Sequence, residues 1–186
     1  MRCFIAIDIS NEVRAEIDKA IQQVRGASKG IKWVVPQNIH LTLKFLGEVN
    51  DLGITLVDDG LSAVGARYSS FNICIRGTGT FPSLKHPNVL WVGIDTSDDL
   101  KHLSNDIDEA MVQQGFKKED RRFSPHLTVG RVKNGKGTDS TVKEFLKFQE
   151  IFFGSIEVEE FMLMKSILRP SGAEYSRLAT FKLGKL

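Results

Sequence analysis

Cysteine, tryptophan and tyrosine are scarce, with two of each in 186 residues. Cys3 and Cys74 each stand alone in apolar, strand-like sequence with no CxxC spacing. That excludes a disulfide framework and leaves the expectation of two buried free thiols in a reducing cytoplasm. An excess of one charge is also missing. Lys+Arg number 25 against 23 Asp+Glu, a formal +2, which argues against a histone-like partner but permits a local basic groove. No run approaches the roughly 20 apolar residues of a membrane helix. The apolar N-terminal run is broken by Asp8 and lacks a small-residue cleavage site, so it does not read as a signal peptide. There is no GxxxxGK[ST] motif for nucleotide phosphates. Ser124 lacks the glycines of a nucleophile elbow, and no short-spaced ligand pair suggests zinc.

What is present is one phrase said twice: His40-Leu41-Thr42-Leu43 and His126-Leu127-Thr128-Val129. Side chains alternate along a strand, so each copy puts an imidazole and a hydroxyl on one face and aliphatics on the other. The surroundings repeat too. Phe4-Ile5-Ala6-Ile7-Asp8-Ile9-Ser10 precedes the first copy and Trp91-Val92-Gly93-Ile94-Asp95-Thr96-Ser97 the second. Both run aromatic, β-branched, small, Ile, Asp, β-branched, Ser. A period this long is a single duplication rather than a solenoid. Pseudo-two-fold symmetry would bring the two His/Thr pairs face to face.

The elements follow that plan. Residues 3–9 read as a buried strand, and Ser10 caps a helix carrying Val13, Ile17, Ile21 and Val24 up to Gly26. A loop over 27–38 leads to the first motif strand, which stops near Gly47. A helix over about 52–66 uses Leu56, Val57, Leu61 and Val64, and residues 71–76 alternate as a strand. Residues 77–88, rich in glycine and proline, read as a long loop linking the halves. The second half restarts with a strand at 89–95 and a helix capped by Ser97 with Leu100, Leu103, Ile107 and Met111. A charged loop at 117–125, the second motif strand, a turn at Asn134–Gly137, a short helix around Val142 and Phe145, and strands near 155–159, 161–168 and 175–183 complete it. The expected class is α+β: duplicated β-α-β-α-β halves forming two lobes of mostly antiparallel sheet, with helices outside. One bilobal domain spans 1–186, with halves at about 1–80 and 88–170 and a C-terminal strand completing the sheets.

Histidine exchanges protons near neutrality, and threonine hydroxyls donate to phosphoryl oxygens. Two such pairs across a cleft suit in-line displacement at phosphorus, with a base on one side, an acid on the other and no need for a metal.

The duplicated motif resembles the two-histidine phosphoesterase superfamily, and within it the RNA 2′,3′-cyclic phosphodiesterases formerly called 2′-5′ RNA ligases. The likeness extends to Arg2-Cys3-Phe4-Ile5-Ala6-Ile7, to residues 38–47, to Phe81-Pro82 ahead of Leu90-Trp91-Val92-Gly93-Ile94, and to Ser124-Pro125 through Arg131. It implies a central cleft and a cytoplasmic, cofactor-free enzyme opening RNA 2′,3′-cyclic phosphate ends, tRNA-like or oligonucleotide, to 2′-phosphates. It assigns His40 as proton donor, His126 as proton acceptor, and Thr42, Thr128 and Arg131 as substrate ligands. The reverse 2′-5′ ligation is implied as well. On an ideal strand Arg131 has the wrong parity to join His126 and Thr128, so its reach depends on a twist or strand end. Lys117, Lys118, Arg121, Arg122, Lys133 and Lys136 join Arg131 as an expected RNA-backbone rim. His86 and His102 read as surface residues, and the expected state is a monomer. Two alternatives stand beside this reading: a phosphodiesterase for a small cyclic nucleotide, and an RNA-end binding protein without turnover.

Overall fold

A computed structural model describes residues 1–26, 30–95, 97–133, 138–170 and 172–184. The chain runs β1 (Arg2–Asp8), α1 (Asn11–Arg25), β2 (Ile31–Trp33), a 3-10 turn (Pro36–Asn38), β3 (His40–Glu48), α2 (Asp51–Gly65), β4 (Phe71–Pro82) and β5 (Pro87–Ile94). It continues through α3 (Asp98–Gln113), β6 (His126–Val132), α4 (Asp139–Leu146), β7 (Phe152–Val158), β8 (Glu160–Arg169) and β9 (Gly172–Lys182). The helix starts fall where capping chemistry puts them. Ser10, Asn50 and Ser97 accept from the backbone N–H groups of Val13, Gly53 and Leu100. Behind those caps Val13, Ile17, Ile21 and Val24 of α1, and Leu100, Leu103, Ile107 and Met111 of α3, are buried at helical spacing. On α2 the buried set is Val57, Leu61 and Val64, while Leu56 faces outward.

All described strand pairs are antiparallel, in one open sheet ordered β7-β4-β5-β6-β3-β1-β8-β9, with β2 added beside β6. The order mirrors itself about the β6–β3 seam, as a duplication requires. The last strand of each half does not stay with its own half. β4 inserts beside β5 of the second half, and β8 beside β1 of the first. Helices exchange in the same sense: α1 packs with α4 on the β4–β7 side, and α2 with α3 on the β3–β9 side. The two sequence halves are therefore interlocked rather than joined by a tether.

Two loop expectations are corrected. Residues 77–88 are mostly a hairpin, because their glycines serve packing and bulging. Gly77, at φ +73°, occupies the register shift between Ile75 and Thr78. A Cβ on Gly79 would lie 2.2 Å from the Trp91 ring, so only glycine lets the indole lie across β4. The 27–38 loop contains β2, whose Ile31 and Trp33 are buried while Lys32 is exposed. Three residues carry too little periodicity to read, and pairing with β6 is what makes them a strand. Cys3 is buried as expected, whereas Cys74 is only half-buried. The turn expected at Asn134–Gly137 lies outside the described residues.

Candidate active site

The two motif strands meet at a single pair, Leu41 opposite Leu127. Beyond it the sheet forks, and β6 goes on to pair with β2 instead. Both leucines are fully buried. Alternation then puts His40, Thr42, His126 and Thr128 together on the opposite face, all four half-buried. About an antiparallel pair at 41 and 127, position 40 lies across from 128 and position 42 across from 126. Each histidine thus has the other motif's threonine as its cross-strand neighbour.

A bulge follows each threonine. On β3, Thr42 pairs with Ala6 but Ile5 pairs with Lys44, so Leu43 is the extra residue. On β6, Thr128 pairs with Trp91 but Leu90 pairs with Gly130, so Val129 is the extra residue. One inserted residue restores parity three positions after threonine. Arg131, opposite Val89, therefore shares a face with Thr128 opposite Trp91 and His126 opposite Gly93. This bulge, rather than a twist or strand end, is what turns Arg131 to the motif face. Its counterpart in the first half is Phe45, 62% exposed and 6.1 Å from the Phe4 ring. Lys44 turns the other way. It is buried toward the helices, paired with Asp108 of α3 and donating to the Lys117 carbonyl.

The imidazoles are held alike. His40 Nδ1 lies 2.8 Å from the Asn38 carbonyl, and His126 Nδ1 lies 2.7 Å from the Ser124 carbonyl. A carbonyl only accepts, so Nδ1 carries the hydrogen in each ring and Nε2 is left to exchange a proton. Aromatic rings fix the ring planes. Phe4 stacks on His40 at 4.9 Å, Tyr175 meets it edge-on at 5.2 Å, and Phe81 meets His126 edge-on at 4.9 Å. Phe4 and Trp91, which packs on Phe81, are the aromatics that open the two repeated stretches. Sequence reasoning passed over them although that alignment was the signal. Tyr175 had none, being brought in by β9.

Burial pushes the His40 pKa below its ordinary 6.5, against the Asn38 carbonyl and the Asp8 charge, with Arg14 adding to the depression. The unfolded chain therefore binds more proton than the folded one just below 6.5. This contribution to stability is complete above that pH and lost as pH falls through the depressed folded value. Denaturant titrations between neutral and mildly acidic pH should show a shallower acid loss for His40→Gln than for the parent. An equal or steeper loss in the variant contradicts this origin.

Of the expected basic rim, Lys117, Lys118, Arg121, Arg122, Arg131 and Lys133 are exposed, while Lys136 lies outside the described residues. Lys117 pairs with Asp120 at 2.7 Å. His86, in the turn between β4 and β5, and His102, on α3, are both exposed. No three His, Cys, Asp or Glu side chains gather as metal ligands among the described residues.

A model of the 2′-5′ RNA ligase superfamily matches residues 13–167. The chain belongs to that superfamily. A protein of Archaeoglobus fulgidus named RNA 2′,3′-cyclic phosphodiesterase is 36% identical over 182 residues, covering 98% of this chain and 100% of its own length. One of the same name from Thermotoga maritima is 33% identical, covering 96% of this chain and 93% of its own. Among solved structures, a protein of Thermus thermophilus superposes with a TM-score of 0.85 at 28% identity, over 98% of both chains. E. coli LigT complexed with 3′-AMP superposes at 0.78 and 25% identity, over 99% of this chain and 98% of its own. The α+β class and antiparallel sheet read from sequence agree with these superfamily folds. No described helix is long and apolar enough to cross a membrane.

Proposed function

We propose that this chain is an RNA 2′,3′-cyclic phosphodiesterase, opening the ring to a 2′-phosphate without a metal ion. The observation that carries the reading is the matched pair of imidazoles, each with Nδ1 on a carbonyl two residues upstream and Nε2 on the shared face. Relatives of that name at 36% and 33% identity support the substrate class.

In this mechanism water attacks phosphorus in line with the leaving 3′-oxygen. His126 Nε2 takes the water proton, the P–O3′ bond breaks, and His40 Nε2–H protonates the departing oxygen. Thr42, Thr128 and Arg131 hold the non-bridging oxygens as charge builds on them. His40 must be protonated to act as the acid although its burial disfavours that. The phosphodiester charge brought by substrate favours imidazolium, so the acid is loaded as the complex forms. With a 5′-hydroxyl in place of water the same groups in the same roles would join 2′-5′ ends, the P–O5′ bond forming as P–O3′ breaks. A monomer acting on tRNA-like or oligonucleotide ends in the cytoplasm is part of the proposal.

The test is incubation of a short RNA ending in a 2′,3′-cyclic phosphate with EDTA present, resolving the product. Conversion to the 2′-phosphate alone is expected. A requirement for added metal, or a 3′-phosphate product, would overturn the mechanism.

A further inference from the structure

We propose that the recess beside His40 receives the nucleobase of the terminal nucleotide, an inference resting on the phosphodiesterase reading above. A cavity of about 100 Å³ opens there, bounded by Asp8, His40, Met162, Met164, Tyr175 and Arg177 among others. Strand pairing shows that these residues share the motif face. Met162 and Met164 lie opposite Ala6 and Phe4, and Arg177 and Tyr175 lie opposite Met164 and Ser166. The same pairing puts Asp8 across from His40.

The reaction's geometry selects this side. In-line opening separates the attacking water from the leaving 3′-oxygen across phosphorus. With the 3′-oxygen at His40, the ribose that carries it lies on the His40 side. The base attached to that ribose is then presented to this lobe. The other lobe is built differently at its histidine. Phe81 packs edge-on against His126, and Trp91 fills the space above Gly79.

The lining suits a flat, polarisable group. Tyr175 stands perpendicular to the His40 ring, at 89°, and is supported from below by Phe4 at 5.2 Å. Among the described residues Arg177 holds loose ion pairs, 3.8 Å to Asp8 and 3.6 Å to Glu160, so its guanidinium offers donors and a face to a base. The two methionines adapt to whichever ring enters. Aromatic and guanidinium faces recognise any base by stacking, so recognition here is of a base rather than of a particular one.

The test compares kcat/KM for two RNA oligomers, one ending in a nucleoside 2′,3′-cyclic phosphate and one whose terminal cyclic-phosphate ribose carries hydrogen in place of the base. Loss of the base should cost the parent protein about 10-fold or more. In Tyr175→Ala the two substrates should come within about 2-fold of each other, with Arg177→Gln intermediate. Arg177 is exposed, so its variant serves if Tyr175→Ala folds poorly. An equal base penalty in the parent and both variants overturns the subsite while leaving the phosphodiesterase reading intact. Failure of the parent to open either substrate overturns both.

Discussion

Replacing His126 by alanine should lower kcat/KM on an RNA 2′,3′-cyclic phosphate by about 100- to 10,000-fold, the range for losing one positioned acid or base. His40→Ala should do the same. The informative comparison is with His126→Asn, whose amide can still donate to the Ser124 carbonyl but cannot carry a proton at neutral pH. If proton transfer is the role, asparagine is as inactive as alanine. If His126 matters only for bracing the Ser124 turn, asparagine restores much of the rate and the acid–base assignment fails. The parent should show a bell-shaped pH profile whose two limbs belong to the coupled pair, and each single variant should lose the bell. The double variant should be little worse than either single one, because groups that act as a unit are not additive.

Lys44→Met should destabilise the fold by about 3 kcal/mol, the usual cost of stranding one member of a buried ion pair. The lysine side chain is 2% exposed and Asp108 is 17% exposed, so solvent screens little of the loss. The Glu119 backbone N–H remains on Asp108 but cannot replace a cation. In urea the midpoint should fall, and on heating the transition should drop by about 6–12 °C for a chain of this size. Lys44→Met combined with Asp108→Leu should recover most of the loss, since removing both charges removes the unpaired one. A single variant within about 1 kcal/mol of the parent would mean the pair is stabilised chiefly by its surroundings. Lys44 also donates to the Lys117 carbonyl, so it ties β3 to the start of the loop leading to His126.

The sequence by itself determined the local content. Its duplicated phrase identified the four motif side chains, and strand periodicity put them on a face opposite the leucines. Serine caps and helical spacing located α1 and α3 closely. These are signals within a few residues, where backbone geometry alone decides which side chains share a side. Tertiary structure decided what depends on a partner strand. The bulge after Thr128 exists only because Trp91 and Leu90 pair with residues two apart, and it is what turns Arg131 to the motif face. The glycines and prolines of 77–88 look like a loop until Trp91 packs over Gly79. β2 is a strand because β6 forks away from β3. The pairing of β8 with β1, and the arrival of Tyr175 beside His40, bring together positions more than a hundred residues apart. No local pattern encodes such contacts, because their energy is realised only when both surfaces are already folded.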